Sequence, residues 1–327
     1  MIPKISVIIP FLNEEDNIPV LVDSLNSFFS NKKDYLVEVI LVNDGSTDNS
    51  VEVLNQQIFS GIEGKIISLS KNFGSHAALR AGILHAQGDH ICFMYADLQD
   101  PLSLIDQLFE ERNKGFEVCW ATRENTQNGF FEKVFSRFYS YMMKKYAVPN
   151  YPADGFDIVM FSSKVQRHLN VNIEVNSSIF LQILTLGFKQ NSIYYTKEAR
   201  KKGKSKWTIG KKIKLFIDSF VAFSYAPIRL VTITGIGLFF LGLSWSVYLI
   251  SRKLLFNDLV SGWPILISVL AIGFGVTNIS LGIIAEYLWR TLDSSRKRPA
   301  FIIDEMTNIN NSITVENLPF TNDHKDQ

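Results

Sequence analysis

The chain has 327 residues, enough for one large domain and an appendage, and its net charge of +1 lacks the electrostatic footprint of a nucleic-acid binder. Hydrophobic residues make up 46 % of it, unevenly: the first two-thirds alternates apolar and polar stretches, whereas Ile228 to Trp289 is mostly apolar. The two cysteines, Cys92 and Cys119, lie in apolar strand-like runs and the five histidines show no ligand spacing, which disfavours a disulfide framework and a zinc site.

Met1-Ile2-Pro3-Lys4 leads straight into the apolar run Ile5–Ile9 with no signal-peptide pattern, so the domain is expected to begin in the cytosol. Pro10 is expected to stop that first strand. Asp16–Phe29 carries Ile18, Leu21, Val22 and Leu25 at helical spacing. Val37–Val42 reads as a second buried strand ending in Asn43-Asp44-Gly45-Ser46, after which Thr47 or Asp48 caps a helix to about Gln57. A third strand, Ile66–Leu69, precedes a helix over Ser75–Ala86. A fourth, His90–Ala96, runs into Asp97. Pro101 then opens a helix to about Lys114, and Val118–Thr122 is a fifth strand. This alternation predicts an α/β domain with a mostly parallel, doubly wound sheet and right-handed crossovers.

Ligands of such sheets bind at the carboxyl ends of the strands. Asn13-Glu14 follows the first strand here, Asp44-Gly45-Ser46 the second and Lys71-Asn72 the third. Asp97-Leu98-Gln99-Asp100 follows the fourth and Arg123 the fifth. Any one of these is ordinary turn chemistry. Five at one sheet edge describe a site lined by carboxylates and cations. No Gly-x-Gly-x-x-Gly follows the first strand and no Walker A lysine loop is present, which argues against dinucleotide and simple ATP binding. Carboxylates at a strand end suit Mg²⁺ or Mn²⁺ bound together with a diphosphate.

Ile209–Tyr225 gathers lysines near its start and places Ile213, Phe216, Ile217 and Phe220 at helical spacing, which suits a helix in the lipid interface; an amphipathic core helix fits the same pattern. Ile228–Ile250 and Trp263–Trp289 each carry an uncharged run of about 20 residues, long enough to cross a bilayer, with Trp245, Tyr248, Trp263, Tyr287 and Trp289 near the ends. Lys211, Lys212, Lys214 and Arg229 precede the first run; Arg290, Arg296, Lys297 and Arg298 follow the second. The connecting loop holds only Arg252 and Lys253, so the positive-inside rule puts both termini in the cytosol. The expected organisation is a catalytic domain over 1–207, interfacial helices over 208–227, membrane helices over 228–251 and 263–289, and a cytosolic tail over 290–327, polar and Asn-rich after Asp304 and expected to be largely disordered.

Pro10-Phe11-Leu12-Asn13-Glu14, Val42-Asn43-Asp44-Gly45-Ser46-Thr47-Asp48 and Ala96-Asp97-Leu98-Gln99-Asp100 together resemble the family 2 glycosyltransferases with a GT-A fold. Lys71-Asn72-Phe73-Gly74, Ala78-Leu79-Arg80-Ala81-Gly82, Gly203-Lys204-Ser205-Lys206-Trp207 and the paired apolar runs narrow the resemblance. It points to the polyprenyl-phosphate glycosyltransferases, of the dolichyl-phosphate mannose synthase and bactoprenol glucosyltransferase type. The resemblance covers roughly Ile5 to Arg298, and it is the ordered set of motifs that makes it specific. It implies inverting transfer of one hexose from a nucleotide-sugar, with UDP favoured, to a polyprenyl phosphate at a bacterial plasma membrane, by an integral membrane protein that assembles as a homotetramer. Pro10, Asn13, Glu14, Asp44, Ser46 and Lys71 would hold the nucleotide, with Asp44 at the base or ribose. Asp97 and Gln99 would hold Mg²⁺ or Mn²⁺ on the diphosphate, and Arg123 would lie near the phosphates. Asp157 would orient the donor sugar, and Arg200, Ser205 and Lys206 would hold the acceptor phosphate.

The family pattern Asp-Ala-Asp-Leu-Gln-Asp reads Tyr95-Ala96-Asp97-Leu98-Gln99-Asp100 here. A neutral phenol cannot replace the missing carboxylate charge. That leaves weakened metal binding, help from Asp100, or an impaired membrane scaffold that kept the fold. A processive polysaccharide synthase is the other alternative; it calls for more membrane spans and a Gln-x-x-Arg-Trp motif, and Trp207 here follows Ser205-Lys206.

Overall fold

A computed structural model describes residues 2–123, 140–146, 148, 151–152, 158–171, 177–196, 226–256, 262–295 and 299–309. Eight strands form one sheet in the order β7-β5-β6-β4-β1-β2-β3-β8: β1 (Lys4–Phe11), β2 (Leu36–Asn43), β3 (Glu63–Leu69), β4 (His90–Phe93), β5 (Val118–Arg123), β6 (Ile158–Ser162), β7 (Gln190–Tyr195) and β8 (Ile303–Asn308). β1 is parallel to β2 and β4, and β2 to β3, as expected of strands joined by helices. From Ile5 on, β1 is buried on both faces, because helices cover both sides of the sheet.

The period of two along β1 distributes its side chains between two core layers. Ile5, Val7 and Ile9 pack with the apolar stripes of α1 (Ile18–Phe29) and α4 (Leu104–Asn113), and with Leu54 of α2 (Ser50–Asn55). Ile8 packs on the opposite face with α3 (Ser75–His85), α5 (Ser163–Val171) and α6 (Ile179–Thr185). Cys92 and Cys119 are free, one in the first layer on each of two strands, and burial pushes the Cys119 thiol up to about 12. Desolvation, with Arg80 or Arg112 nearby, holds His76 and His90 down at about 4, so both half-buried imidazoles are neutral.

Several sequence expectations change. β1 does not stop at Pro10 but continues to Phe11, with Pro10 opposite Val42. Ile8 O accepts the Met94 N–H, so residue 10 turns its nitrogen to that same side, and the next bond of the parallel ladder is one that proline cannot donate; the β1–β4 pairing accordingly ends at Ile8 and Phe93, while β1 continues along β2. α2 begins at Ser50, and neither Thr47 nor Asp48 sits at its N-cap. Thr47 N–H donates instead to Asn13 Oδ1, while the Asp48 carboxylate accepts from the Ser50 N–H and O–H. β6 is antiparallel to both β4 and β5, so the sheet is mixed on that side, while β4-β1-β2-β3 run parallel through its middle.

Part of the tail expected to be disordered, through residue 309, is regular structure, and residues 310–327 lie outside the described residues. α8 (Trp263–Ser295) carries the chain past residue 290, and β8 then pairs antiparallel with β3, Leu69 opposite Ile303 and Lys65 opposite Asn308. A polar composition suits this strand because it lies at the sheet edge. Two helices longer than the ~30 Å of a bilayer core are present, α7 (Ala226–Phe256, 31 residues) and α8 (33 residues). Their large apolar side chains, Leu241, Phe274 and Leu288 among them, are exposed. Among the described residues one window, Ile272–Trp289 in α8, is long and apolar enough to cross a membrane; the apolar run described in α7 is the shorter Val231–Trp245. The interfacial helix expected over Ile209–Tyr225 lies outside the described residues.

Candidate active site

Register creates the site. Phe11 lies opposite Asn43 and Asn43 opposite Ser68, so β1, β2 and β3 end level; Ile8 opposite Phe93 brings the end of β4 beside them. Two successive antiparallel steps, β4 to β6 and β6 to β5, turn β5 parallel to β4, so Arg123 emerges at the same edge. The fold thus gathers Pro10, Asn13, Glu14, Asp44, Ser46, Lys71, Asp97, Gln99 and the Arg123 backbone along one edge. Asp157, Arg200, Ser205 and Lys206 lie outside the described residues.

The first two loops are tied to each other. Asn13 adopts φ 51°, a left-handed conformation that asparagine tolerates better than most residues. Its N–H donates to Ser46 Oγ at 2.9 Å, and its Oδ1 accepts the Thr47 N–H at 2.8 Å. The Ser46 N–H donates to Asn43 Oδ1 at 2.8 Å, and the Glu14 N–H to Ser50 Oγ at 2.8 Å. The Glu14 carboxylate accepts from the Asn17 amide within its own loop.

The second and third loops meet through Asp44 and Gly45. Asp44 is buried, and its carboxylate accepts the Phe73 N–H at 2.8 Å and the Gly74 N–H at 3.0 Å. Burial pushes its carboxyl above the usual range, and those two amides pull it back. Gly45 sits at φ +68°, and a Cβ there would lie 2.4 Å from the Lys71 carbonyl carbon and 2.6 Å from Asn72 N. A glycine is therefore required twice over, by backbone conformation and by space. Lys71 is exposed on this loop, with Nζ 5.1 Å from the centre of the Phe73 ring.

The turn after β4 carries Asp97 and Gln99. Leu98 between them takes φ 50° while its side chain is buried in the α1/α4 layer. A left-handed leucine costs about 1–2 kcal/mol, a cost met here by the burial of that side chain. The Gln99 N–H donates to Asp97 Oδ1 at 3.3 Å. Asp100, considered in the sequence as an auxiliary metal ligand, is instead buried, and its Oδ1 accepts the Tyr195 hydroxyl at 2.5 Å. That bond ties the turn to the end of β7. Tyr95 is half-buried and packs against both core layers, so in place of a carboxylate it supplies packing. Sequence reasoning missed Leu98 and Tyr195; neither carries a local motif, because one acts through its backbone and the other through a partner 95 residues away.

Among the described residues no three His, Cys, Asp or Glu side chains are grouped to hold a metal ion by themselves. One carboxylate and one amide at a strand end do fit a hard cation whose other ligands are diphosphate oxygens and water.

Comparison with known proteins finds relatives over most of the chain. The family profile described as Glycosyl transferase family 2 matches residues 6–169. The chain is 31 % identical over 94 % of its length, and 95 % of the relative's, to an uncharacterised glycosyltransferase of Bacillus subtilis (strain 168). It is 29 % identical to a prophage bactoprenol glucosyl transferase homolog of Escherichia coli (strain K12), over 92 % of this chain and 98 % of that one. An undecaprenyl-phosphate 4-deoxy-4-formamido-L-arabinose transferase of Yersinia pestis (strain Pestoides F) is 28 % identical, over 93 % of this chain and 94 % of its own.

Proposed function

Because the chain belongs to glycosyl transferase family 2 and is a glycosyltransferase that uses a nucleotide-sugar, we propose that it moves a single hexose, UDP-linked, to a polyprenyl phosphate with inversion, on the cytosolic face of a bacterial plasma membrane. The observation that carries this reading is the joining of a tied donor edge to two long apolar helices in one chain that matches lipid-phosphate glycosyl transferases almost end to end. In this reading α7 supplies a second membrane span over Ile228–Ile250, residues 208–227 lie in the interface, and the chain assembles as a homotetramer.

Pro10, Asn13, Glu14, Ser46 and Lys71 hold the nucleotide. Asp44 has two backbone donors on its carboxylate, so it shapes the Lys71 loop and offers its remaining acceptor capacity to the base or ribose. Asp97 and Gln99 hold Mg²⁺ or Mn²⁺, which when bound neutralises charge on the leaving diphosphate. Lys71 and Arg123 add fixed positive charge to the same end of the donor. Asp157 orients the sugar. Arg200, Ser205 and Lys206 draw the acceptor phosphate to the membrane surface. A monoester phosphate with a second pKa of about 6 arrives largely ionised and needs little help from a general base. Its oxygen attacks the anomeric carbon in line, the bond to the diphosphate breaks, and the configuration inverts.

Membranes containing the protein, incubated with a panel of radiolabelled nucleotide-sugars, undecaprenyl phosphate and Mn²⁺, are expected to yield a labelled lipid extractable into organic solvent. A labelled water-soluble polymer would mark a processive synthase. No transfer from any donor would mark a scaffold, the reading that Tyr95 favours. Lys206→Ala is expected to raise the KM for lipid by about tenfold, the loss of one charge-assisted contact, and to leave the donor KM unchanged. An equal acceptor KM in the two proteins would return Lys206 to a solvated loop.

A further inference from the structure

The donor loop is held from the side opposite Asp44 as well. β8 lies along β3, and just beyond Leu69 the Ser70 N–H donates to Ile302 O at 3.0 Å. Ser70 immediately precedes Lys71. Phe301, next to Ile302, is buried in the layer built by α3, with Ala300, Ile303 and Met306 packed against that same layer. At the far end of the strand the Ile309 N–H donates to Gly64 O at 2.9 Å, and Ile309 is buried in the opposite layer. Gly64 admits it: a Cβ there would stand 2.8 Å from Ile309 Cδ1. The strand is therefore anchored at both ends, and its near end abuts the loop that carries Lys71.

We propose that the strand following the second long helix is a positioning element of the donor site, seated by Phe301 and setting the base of the Ser70–Gly74 loop through Ile302. This rests on the donor-loop reading above. The loop is fixed on one side by Asp44 and Gly45 of the β2–α2 turn and on the other by chain from beyond α8. Donor affinity and the seating of the segment after α8 are then one property. Releasing Phe301 frees Ser70, and Lys71 loses its fixed place at the donor; the acceptor side, built from other segments, is untouched.

The test uses the full-length protein with Phe301→Ala and Phe301→Leu. Amide hydrogen exchange is followed at Ser70, Phe73 and Gly74 and, for reference, along β1, and the KM values for donor and acceptor are measured separately. Phe301→Ala should speed exchange in the loop, leave β1 protected, and raise the donor KM by about tenfold, the scale on which mispositioned binding groups act, with the acceptor KM unchanged. Phe301→Leu should restore both. Faster loop exchange with an unaltered donor KM would overturn the proposal. So would a parallel rise in both KM values, or β1 exchanging as fast as the loop. Where Phe301→Ala fails to accumulate, Met306→Ala takes its place with the same outcomes. A wild-type protein that transfers no sugar would sink the functional reading alone, since the exchange measurement needs no substrate.

Discussion

Asp97→Ala is expected to lower transfer by about 10²–10³-fold, the scale set by removing a principal electrostatic stabiliser of a developing charge. Among the described residues of the turn after β4, Asp97 is the carboxylate that stands at the site edge. Tyr95 packs into the core, and Asp100 is buried on the Tyr195 hydroxyl. Among the described residues no second acid of that turn stands ready to share its task, so the loss should be larger than where a pair of carboxylates divides the cation. The fold should survive, because the Asp97 carboxylate lies in the turn after β4 outside both buried core layers, and its bond to the Gln99 N–H is long at 3.3 Å. Circular dichroism of the purified variant, together with a titration of activity against Mn²⁺ and recovery after chelation, distinguishes this outcome from unfolding. Turnover equal to wild type would remove Asp97 from the metal position.

Gly45→Ala is expected to be as damaging by a different route. The added methyl would stand 2.4 Å from the Lys71 carbonyl carbon, and its neighbour atoms are backbone, so no side chain can rotate away. The left-handed conformation adds about 1–2 kcal/mol. Either Gly45 or the Lys71 loop must shift, and a shift of about 1 Å is enough to cost up to 10²-fold in rate. Asp44→Asn should be much milder for the fold, because a single amide oxygen can still accept both the Phe73 and Gly74 N–H groups, as Asp44 Oδ1 does at 2.8 and 3.1 Å. Asp44→Ala leaves those amides without their acceptor and should destabilise by about 1–3 kcal/mol. Thermal melts of the three variants beside donor KM values check the order. Near-wild-type donor binding in Gly45→Ala would show that the two loops are not coupled.

Asp44 also gives stability a pH signature. Its folded pKa lies above the unfolded value because of burial. The folded state thus binds the proton more tightly than the unfolded state does, and stability from this group is greatest below the unfolded pKa and falls as pH rises through the folded one. Asp44→Asn should flatten that acidic limb of the melting curve.

The polar edge of the sheet was largely legible in the sequence, because its signals are local. A strand ending in Asn43-Asp44-Gly45-Ser46, or in Asp97-Leu98-Gln99-Asp100, announces a carboxyl-end loop within a few residues. Five strands, four helices and the alignment of five polar clusters follow from that. What failed is non-local. β6 is four apolar residues and a serine, a pattern that fits a buried helix equally well, and its antiparallel pairing with β4 is visible only in three dimensions. β8, Ile-Asp-Glu-Met-Thr-Asn, has a composition that suits a solvated tail, and only the open edge of β3 makes it a strand. Asp100 looks like one more site carboxylate until Tyr195 claims it.

The position of β8 has a consequence for synthesis. The strand that covers the β3 edge is encoded after both long helices, so a nascent chain must deliver α7 and α8 before its sheet can be finished. Domains fold as their residues emerge, N-terminal parts first. Through that interval β3 presents an unpaired row of backbone donors and acceptors, the usual template for pairing with a neighbouring chain. Ribosomes stalled before residue 303 should therefore carry a domain that is folded yet adhesive, and release of the last strand would end that exposure.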